Sequence, residues 1–208
     1  MLHYETVERG SVTILNRLMR MEALRPFKLV GGTALSLRHG HRRSLDLDLF
    51  SEEMTDMGMV TSALTDEFGS DFSYQADQQA KWAVFCHIGD LKVDLVRIPY
   101  ARIAEIEVVD GIRMYADDDI GPMKIEAIMN RGARKDFWDI ELLLKKRGIE
   151  RLMADHRLKY PKNIKLISVP RALLYFSDAE NGEDPVCLQG MTWPKVKDSI
   201  SRMVNSYL

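Results

Sequence analysis

Cysteine, long apolar runs and an excess of charge of one sign are all scarce in this sequence. Its 208 residues include two cysteines, Cys86 and Cys187, far apart and in neither a CxxC nor a His–Cys spacing. That excludes a disulfide framework and a zinc knuckle, and both thiols read as buried small hydrophobes. No stretch approaches the ~18 uninterrupted apolar residues of a membrane span. The amino terminus, MLHYETVERG, carries charge where a secretion leader would be apolar, so the expected location is cytoplasmic, with no membrane partner. Lys and Arg number 29 against 31 Asp and Glu, a net charge of −2. This balance excludes a uniformly basic nucleic-acid binder and an acidic disordered chain.

What is present is an ordinary globular composition, 46% hydrophobic and 29% charged, without internal repeats or low-complexity tracts. Apolar spacing predicts a helix from Thr6 to Leu24, closed by Pro26, then a strand Phe27–Val30 that runs into Gly31-Gly32-Thr33. A helix ending near Gly40 follows, then the alternating strand Leu45–Phe50 and a helix from Asp56 to Phe68. Three strands are expected at Phe72–Ala76, Trp82–Ile88 and Leu91–Ile98, the last two joined by the Gly89-Asp90 turn. After a short strand at Ile112–Tyr115 the pattern turns helical, over Asp118–Asn130 and Arg134–Lys146, with Gly148 as the stop. The expectation is an α/β (α+β) core over residues 1–147, a mixed sheet flanked by helices. Residues 148–208, punctuated by Pro161, Pro170, Pro185 and Pro194, read as a helical appendage packed on that core, with a helix over Lys195–Tyr207.

The chemistry begins at Leu45-Asp46-Leu47-Asp48-Leu49. A strand puts Asp46 and Asp48 on one face and the three leucines on the other. Two carboxylates held side by side repel unless a cation lies between them, and a hard divalent ion, magnesium above all, suits an all-oxygen pair. The bland alternative is an exposed edge face. Upstream, strand, Gly31-Gly32-Thr33 and helix form the layout in which backbone amides approach a phosphate. A third carboxylate, Asp94, shares a face with Lys92 on Leu91–Val96. Three carboxylates from two strands suit two metal ions that bridge a triphosphate.

The stretches LVGGTALSLRHGHRRSLDLDLF, KVDLV and MKIEAIMNRGARKDFWDIELLL, with VPRALLYFSDAE and TWPKVKDSI in the tail, resemble the abortive-infection type E toxin-like nucleotidyltransferases. These are the toxin halves of bacterial type IV toxin–antitoxin pairs. The resemblance implies a DNA polymerase β-like nucleotidyltransferase fold, with Asp46 and Asp48 as metal ligands after the glycine turn. It gives Lys124 a phosphate-binding role and makes Asp136 and Asp139 candidates for the family's late acidic motif. Helix periodicity agrees in one respect: Lys124, Ile128 and Arg131 share a face, and Asp136 and Asp139 are three apart. Pairing of Lys135 with Asp139 on the helix surface is the competing reading of those aspartates. Many relatives of this fold have Gly-Ser at the turn, so here Thr33 or the backbone amides take the serine's part. Arg42, Arg43 and Ser44 are candidates for contacting triphosphate or acceptor. His39 and His41 read as loop or capping residues, and Trp138 as core.

The expected activity is therefore Mg2+-dependent transfer of a nucleoside monophosphate from a nucleoside triphosphate, with release of pyrophosphate. The resemblance implies an RNA acceptor such as a tRNA 3′ end, an abortive-infection toxin role and an antitoxin partner. Transfer to a protein side chain, and a non-catalytic nucleotide-binding or partner-binding module, remain alternatives. Charge is also segregated along the chain. Residues 46–77 hold nine Asp or Glu and no Lys or Arg, whereas residues 141–171 hold nine Lys or Arg against three Asp or Glu. The basic stretch is either a seat for an RNA backbone or a solvated face.

Overall fold

The structure is a computed structural model and describes residues 1–75, 81–162 and 167–208. The segment expected as a single helix over Thr6–Leu24 is helix α1 (Arg9–Arg20) with a short 3-10 turn on either side. Strand β1 (Lys28–Val30) feeds directly into α2 (Gly31–His39). Strand β2 (Leu47–Ser51) begins two residues later than the alternation suggested. The reason is visible in Leu45, which is 67% exposed while Leu47 and Leu49 are buried, so only two of the three leucines face the core. Helix α3 (Met57–Phe68) is capped by the Asp56 carboxylate, which accepts from the amides of Gly58 and Met59.

Strands β3 (Phe72–Tyr74), β4 (Ala83–Ile88) and β5 (Leu91–Arg97) follow; Ala76, at the expected end of the first, lies outside the described residues. A second hairpin, β6 (Glu107–Val109) and β7 (Ile112–Met114), contains a strand the apolar pattern did not suggest. Its signal was the Asp110-Gly111 pair, both at positive φ as a tight hairpin turn requires. Helices α4 (Asp117–Arg131) and α5 (Arg134–Arg147) match the expected spans to within a residue. Beyond Gly148 come α6 (Ile149–Lys159), α7 (Val169–Leu173) and α8 (Trp193–Asn205).

The seven strands form one mixed sheet in the order β3-β4-β5-β2-β1-β7-β6. β2 runs parallel to β5 and antiparallel to β1, and β1 runs parallel to β7. Leu47 and Leu49 of β2 pair with Val93 and Leu95 of β5, and all four are buried on one face. On the opposite face Asp48 pairs with Asp94, and beyond Asp94 comes Phe85 of β4. A one-residue slip would exchange carboxylates for leucines in the core, so burial fixes the register.

The last sixty residues join the same hydrophobic cluster as the sheet, through Leu173, Ala179, Trp193, Val196, Ile200 and Val204. Trp193 stacks on Trp138 at 5.8 Å and meets Phe137 and Phe176 edge-on or tilted. Trp138 is thus core. The chain before α8 also lies along the loop that precedes β2. The Arg43 amide donates to Val186 O, and the Leu188 amide donates to His41 O. Cys86 is buried, whereas Cys187 is only partly so, because it sits on this outer strap. Among the described residues no helix is long and apolar enough to cross a membrane.

Candidate active site

Asp48 and Asp94 face each other across β2 and β5, directly opposite in a parallel register. Gly31, the first residue after β1, borders them. A Cβ on Gly31 would lie 2.5 Å from Asp48 Oδ2, and its φ is +69°, so both space and backbone require glycine. Gly32 is equally crowded, because a side chain there would strike the Arg42 guanidinium. The glycine pair therefore does two jobs: it lets the start of α2 approach the carboxylates, and it leaves room for the arginine that braces the next loop.

Burial raises the Asp48 pKa, with Lys124 acting against the rise and Asp94 and Asp46 adding to it. One oxygen of Asp94 is held by Lys92 Nζ at 2.7 Å, while the other, Oδ1, is buried without a hydrogen-bond partner. Asp46 lies just before β2, with Lys135 Nζ 3.7 Å from its Oδ2. Lys135 thus turns to Asp46, not to Asp139. An orphaned carboxylate oxygen, a buried carboxylate with a raised pKa and an all-oxygen donor set fit a hard divalent cation. Among the described residues, no three His, Cys, Asp or Glu side chains already stand at ligand spacing around one point.

Behind these carboxylates lies a buried ionic network. Lys124 Nζ, on α4, donates to Asp136 Oδ1 at 2.9 Å and to Asp139 Oδ2 at 2.7 Å. Arg131, about two turns further along α4, chelates Asp136 through Nε and Nη2 at 2.9 and 3.1 Å. Asp139 also receives Arg42 Nε and Nη2 at 2.7 and 2.8 Å, and His41 Nε2 at 2.7 Å. Because the carboxylate only accepts, the His41 proton resides on Nε2. Burial lowers the His41 pKa more than Asp139 restores it, so the ring is neutral at neutral pH. Burial opposes charge on both aspartates, but Lys124 and Arg131 hold Asp136 below its usual range, and Arg42, Lys124 and His41 hold Asp139 well below it. Burial likewise opposes charge on Lys124, and Asp139 and Asp136 more than offset it, leaving the ammonium pKa raised.

Several residues expected to touch nucleotide are placed otherwise. Arg42 is buried, with its fork spent on Asp139 and Nη1 donating to Arg43 O. Thr33 is buried as well; its hydroxyl donates to Asp46 O and lies 2.8 Å from Ser44 Oγ, which therefore donates to it. Thr33 is a strut beneath Asp46, not a free hydroxyl at the turn. Ser44 is half-buried and Arg43 exposed. His41 is not a surface cap but a third support for Asp139, and His39 bonds Asp117 at 2.8 Å. Reasoning from the sequence placed Lys92 beside Asp94 and Arg131 on the face of Lys124, but it missed the contacts of His41 with Asp139 and of Lys135 with Asp46.

Four of the nine cations in the basic stretch are paired with carboxylates. Arg147 and Arg151 share Asp118 and Asp155, Lys145 meets Glu141, and Lys159 is buried on Asp119. Those four charges are structural, while Lys146, Arg157, Lys162 and Arg171 are exposed.

A mixed sheet carrying paired acidic residues beside a Gly-Gly turn defines a nucleotidyltransferase fold, and solved structures agree. An H. pylori protein regarded as a nucleotidyltransferase superposes with a TM-score of 0.57 at 18% identity, covering 96% of this chain and 95% of that one. The ANT(2″)-Ia enzyme, crystallised with adenylyl-2″-tobramycin, superposes with a TM-score of 0.53 at 17% identity, covering 74% of this chain and 98% of its own. An uncharacterised protein of Aquifex aeolicus (strain VF5) is 30% identical over 203 residues, 93% of this chain and 94% of that protein. Residues 13–185 match the family described as nucleotidyl transferase AbiEii toxin, type IV TA system, and the chain belongs to that family of nucleotidyltransferase toxins.

Proposed function

We propose that this toxin moves a nucleoside monophosphate from a nucleoside triphosphate to an RNA 3′ end, such as that of a tRNA, in a Mg2+-dependent reaction at Asp46, Asp48 and Asp94. The observation that carries the reading is the in-register pair Asp48 and Asp94, with the unpartnered Asp94 Oδ1 beside the Gly31 turn. When bound, magnesium, as two ions, supplies charge neutralisation for the triphosphate and acidifies the attacking hydroxyl. Asp48 and Asp94 hold that charge on the open sheet face, and Asp46 completes the set. Gly31 and Gly32 bring the amino end of α2 close enough for its amides to face phosphate oxygens. Lys124 is the fixed positive charge behind the carboxylates, and Asp136 and Asp139 hold it in place. Arg42 and Thr33 keep the loop before β2 in register, with Arg43 and Ser44 at its surface. The acceptor oxygen attacks the α-phosphorus, the bond to the β-phosphate's bridging oxygen breaks, and pyrophosphate leaves. An antitoxin partner follows from the type IV system to which the family belongs.

The test is incubation of the full chain with Mg2+, each of the four labelled triphosphates, total RNA and a separate protein pool, followed by sequencing of RNA 3′ ends. Label is expected at RNA 3′ ends and absent with Asp48→Asn. Label confined to protein would overturn the acceptor, and no transfer with any triphosphate would favour a nucleotide-binding module.

A further inference from the structure

We propose that Lys92 and Lys135 are exchangeable counter-ions of the carboxylate site. Each neutralises one outer carboxylate while no metal ion is bound, and each is released to the nucleotide's phosphates when an ion takes its place. The proposal rests on reading Asp46, Asp48 and Asp94 as ion ligands.

Three lysines lie around these carboxylates, and they differ in how firmly they are held. Lys124 is buried and gripped by two carboxylates, so it is a permanent part of the interior. Lys92 and Lys135 are 48% and 46% exposed, and each meets one site carboxylate, at 2.7 Å on Asp94 and 3.7 Å on Asp46. They come from different elements, Lys92 from β5 and Lys135 from the first turn of α5. A lysine that is half exposed keeps water within reach of its ammonium and a stem that rotates freely, so both can be displaced from their carboxylates. A hard divalent ion binds carboxylate oxygen far more strongly than an ammonium does.

The arrangement explains why the three carboxylates do not stand at ligand spacing although their register brings two of them face to face. Lys92 draws Asp94 Oδ2 along its own strand, and Lys135 draws Asp46 towards α5. Asp48, between them, has no lysine in contact among the described residues. An incoming ion meets the unpartnered Asp94 Oδ1 and Asp48 first and competes with the lysines for Asp94 Oδ2 and Asp46 Oδ2, and the freed ammonium groups then stay beside it, where a bound triphosphate has its charge. Lysine meets phosphate as a point charge and needs no preset geometry for that.

The test uses the full chain stripped of metal, with Lys92→Met, Lys135→Met and the double variant. Thermal shift is titrated with MnCl2 or MgCl2 alone, and binding of a non-hydrolysable triphosphate is then measured at saturating Mg2+. The ion concentration for half the shift is expected to fall about two- to fivefold in each single variant, the range an exposed ion pair allows. Triphosphate affinity is expected to weaken about tenfold in the double variant. Lys92→Arg, whose fork grips a carboxylate more firmly, is expected to move the half-shift concentration upward. Half-shift concentrations that are unchanged or higher in both Met variants overturn the proposal, since lysines that merely brace the carboxylates would give that result. A wild-type chain without an ion-dependent shift that Asp48→Asn removes would show that the ligand reading has failed, and this proposal with it.

Discussion

Arg42 grips Asp139 through two parallel hydrogen bonds, Nε to Oδ1 at 2.7 Å and Nη2 to Oδ2 at 2.8 Å, across 97 positions of the chain. The pair ties the loop before β2 to α5, and through Lys124 to α4. Replacing Asp139 by Asn keeps the shape but leaves two buried cations facing an amide. Removing one partner of such a network costs about 3–5 kcal/mol. Asp139→Asn is therefore expected to lower unfolding free energy by that amount in urea titrations, and transfer activity with it as the Asp46 loop loosens.

The same network sets the acid limit of stability. Asp136 and Asp139 have folded-state pKa values below their ordinary ones, because Lys124, Arg131 and Arg42 outweigh burial. Their stabilisation is complete above the unfolded carboxylate range, near pH 4, and is lost as pH falls through the lower folded values. Melting temperature measured from pH 7 downward is expected to fall steeply below about pH 4. Asp139→Asn, having lost part of this linkage already, is expected to show a shallower fall.

How much of this was legible follows from what a local pattern encodes. Alternation in Leu45–Phe50 and Leu91–Val96 told which residues share a face, and the structure has Asp48 and Asp94 on one face. It did not encode where β2 starts, because Leu45 is apolar yet solvent-facing beside an irregular loop. Arg42 read as a candidate for contacting triphosphate or acceptor, since the carboxylate that buries it is almost a hundred residues away. The contacts of Thr33 and His41 were hidden for the same reason: their partners, Asp46 O and Asp139, are set by tertiary packing. The basic segment was hidden differently. A charge count is blind to Asp118 and Asp119, which lie outside the window and pair with Arg147, Arg151 and Lys159.

Trp193 tests whether the chain beyond Gly148 is energetically part of the core. Its ring packs on Phe137, Trp138 and Phe176, and its Nε1 donates to Glu180 Oε2 at 3.1 Å. Large-to-small changes at such a site cost about 3–5 kcal/mol. Trp193→Ala is expected to move the whole unfolding curve to lower denaturant, with far-UV circular dichroism and tryptophan fluorescence still coincident. Two separated transitions would mean that the C-terminal helices unfold by themselves.

Asp48 should show opposite signs for stability and activity. Its pKa is raised, with burial as the main cause, so the folded state holds this proton more tightly than the unfolded chain does. Such a group contributes stability below the unfolded pKa and loses that contribution as pH rises through its folded value, which leaves a charged Asp48 as a liability at neutral pH. Asp48→Asn removes the charge at nearly constant volume. In metal-free protein at pH 7 the variant is expected to melt higher than wild type, by a few degrees for each ~1 kcal/mol gained. Added Mg2+ is expected to stabilise wild type and leave the variant unmoved, and nucleotide transfer is expected to vanish. A variant that melts lower without metal would show that Asp48 contributes to folding through contacts of its own, and one that still transfers nucleotide would remove it from the site. Melting curves with and without Mg2+, beside a transfer assay on the same preparation, separate these outcomes.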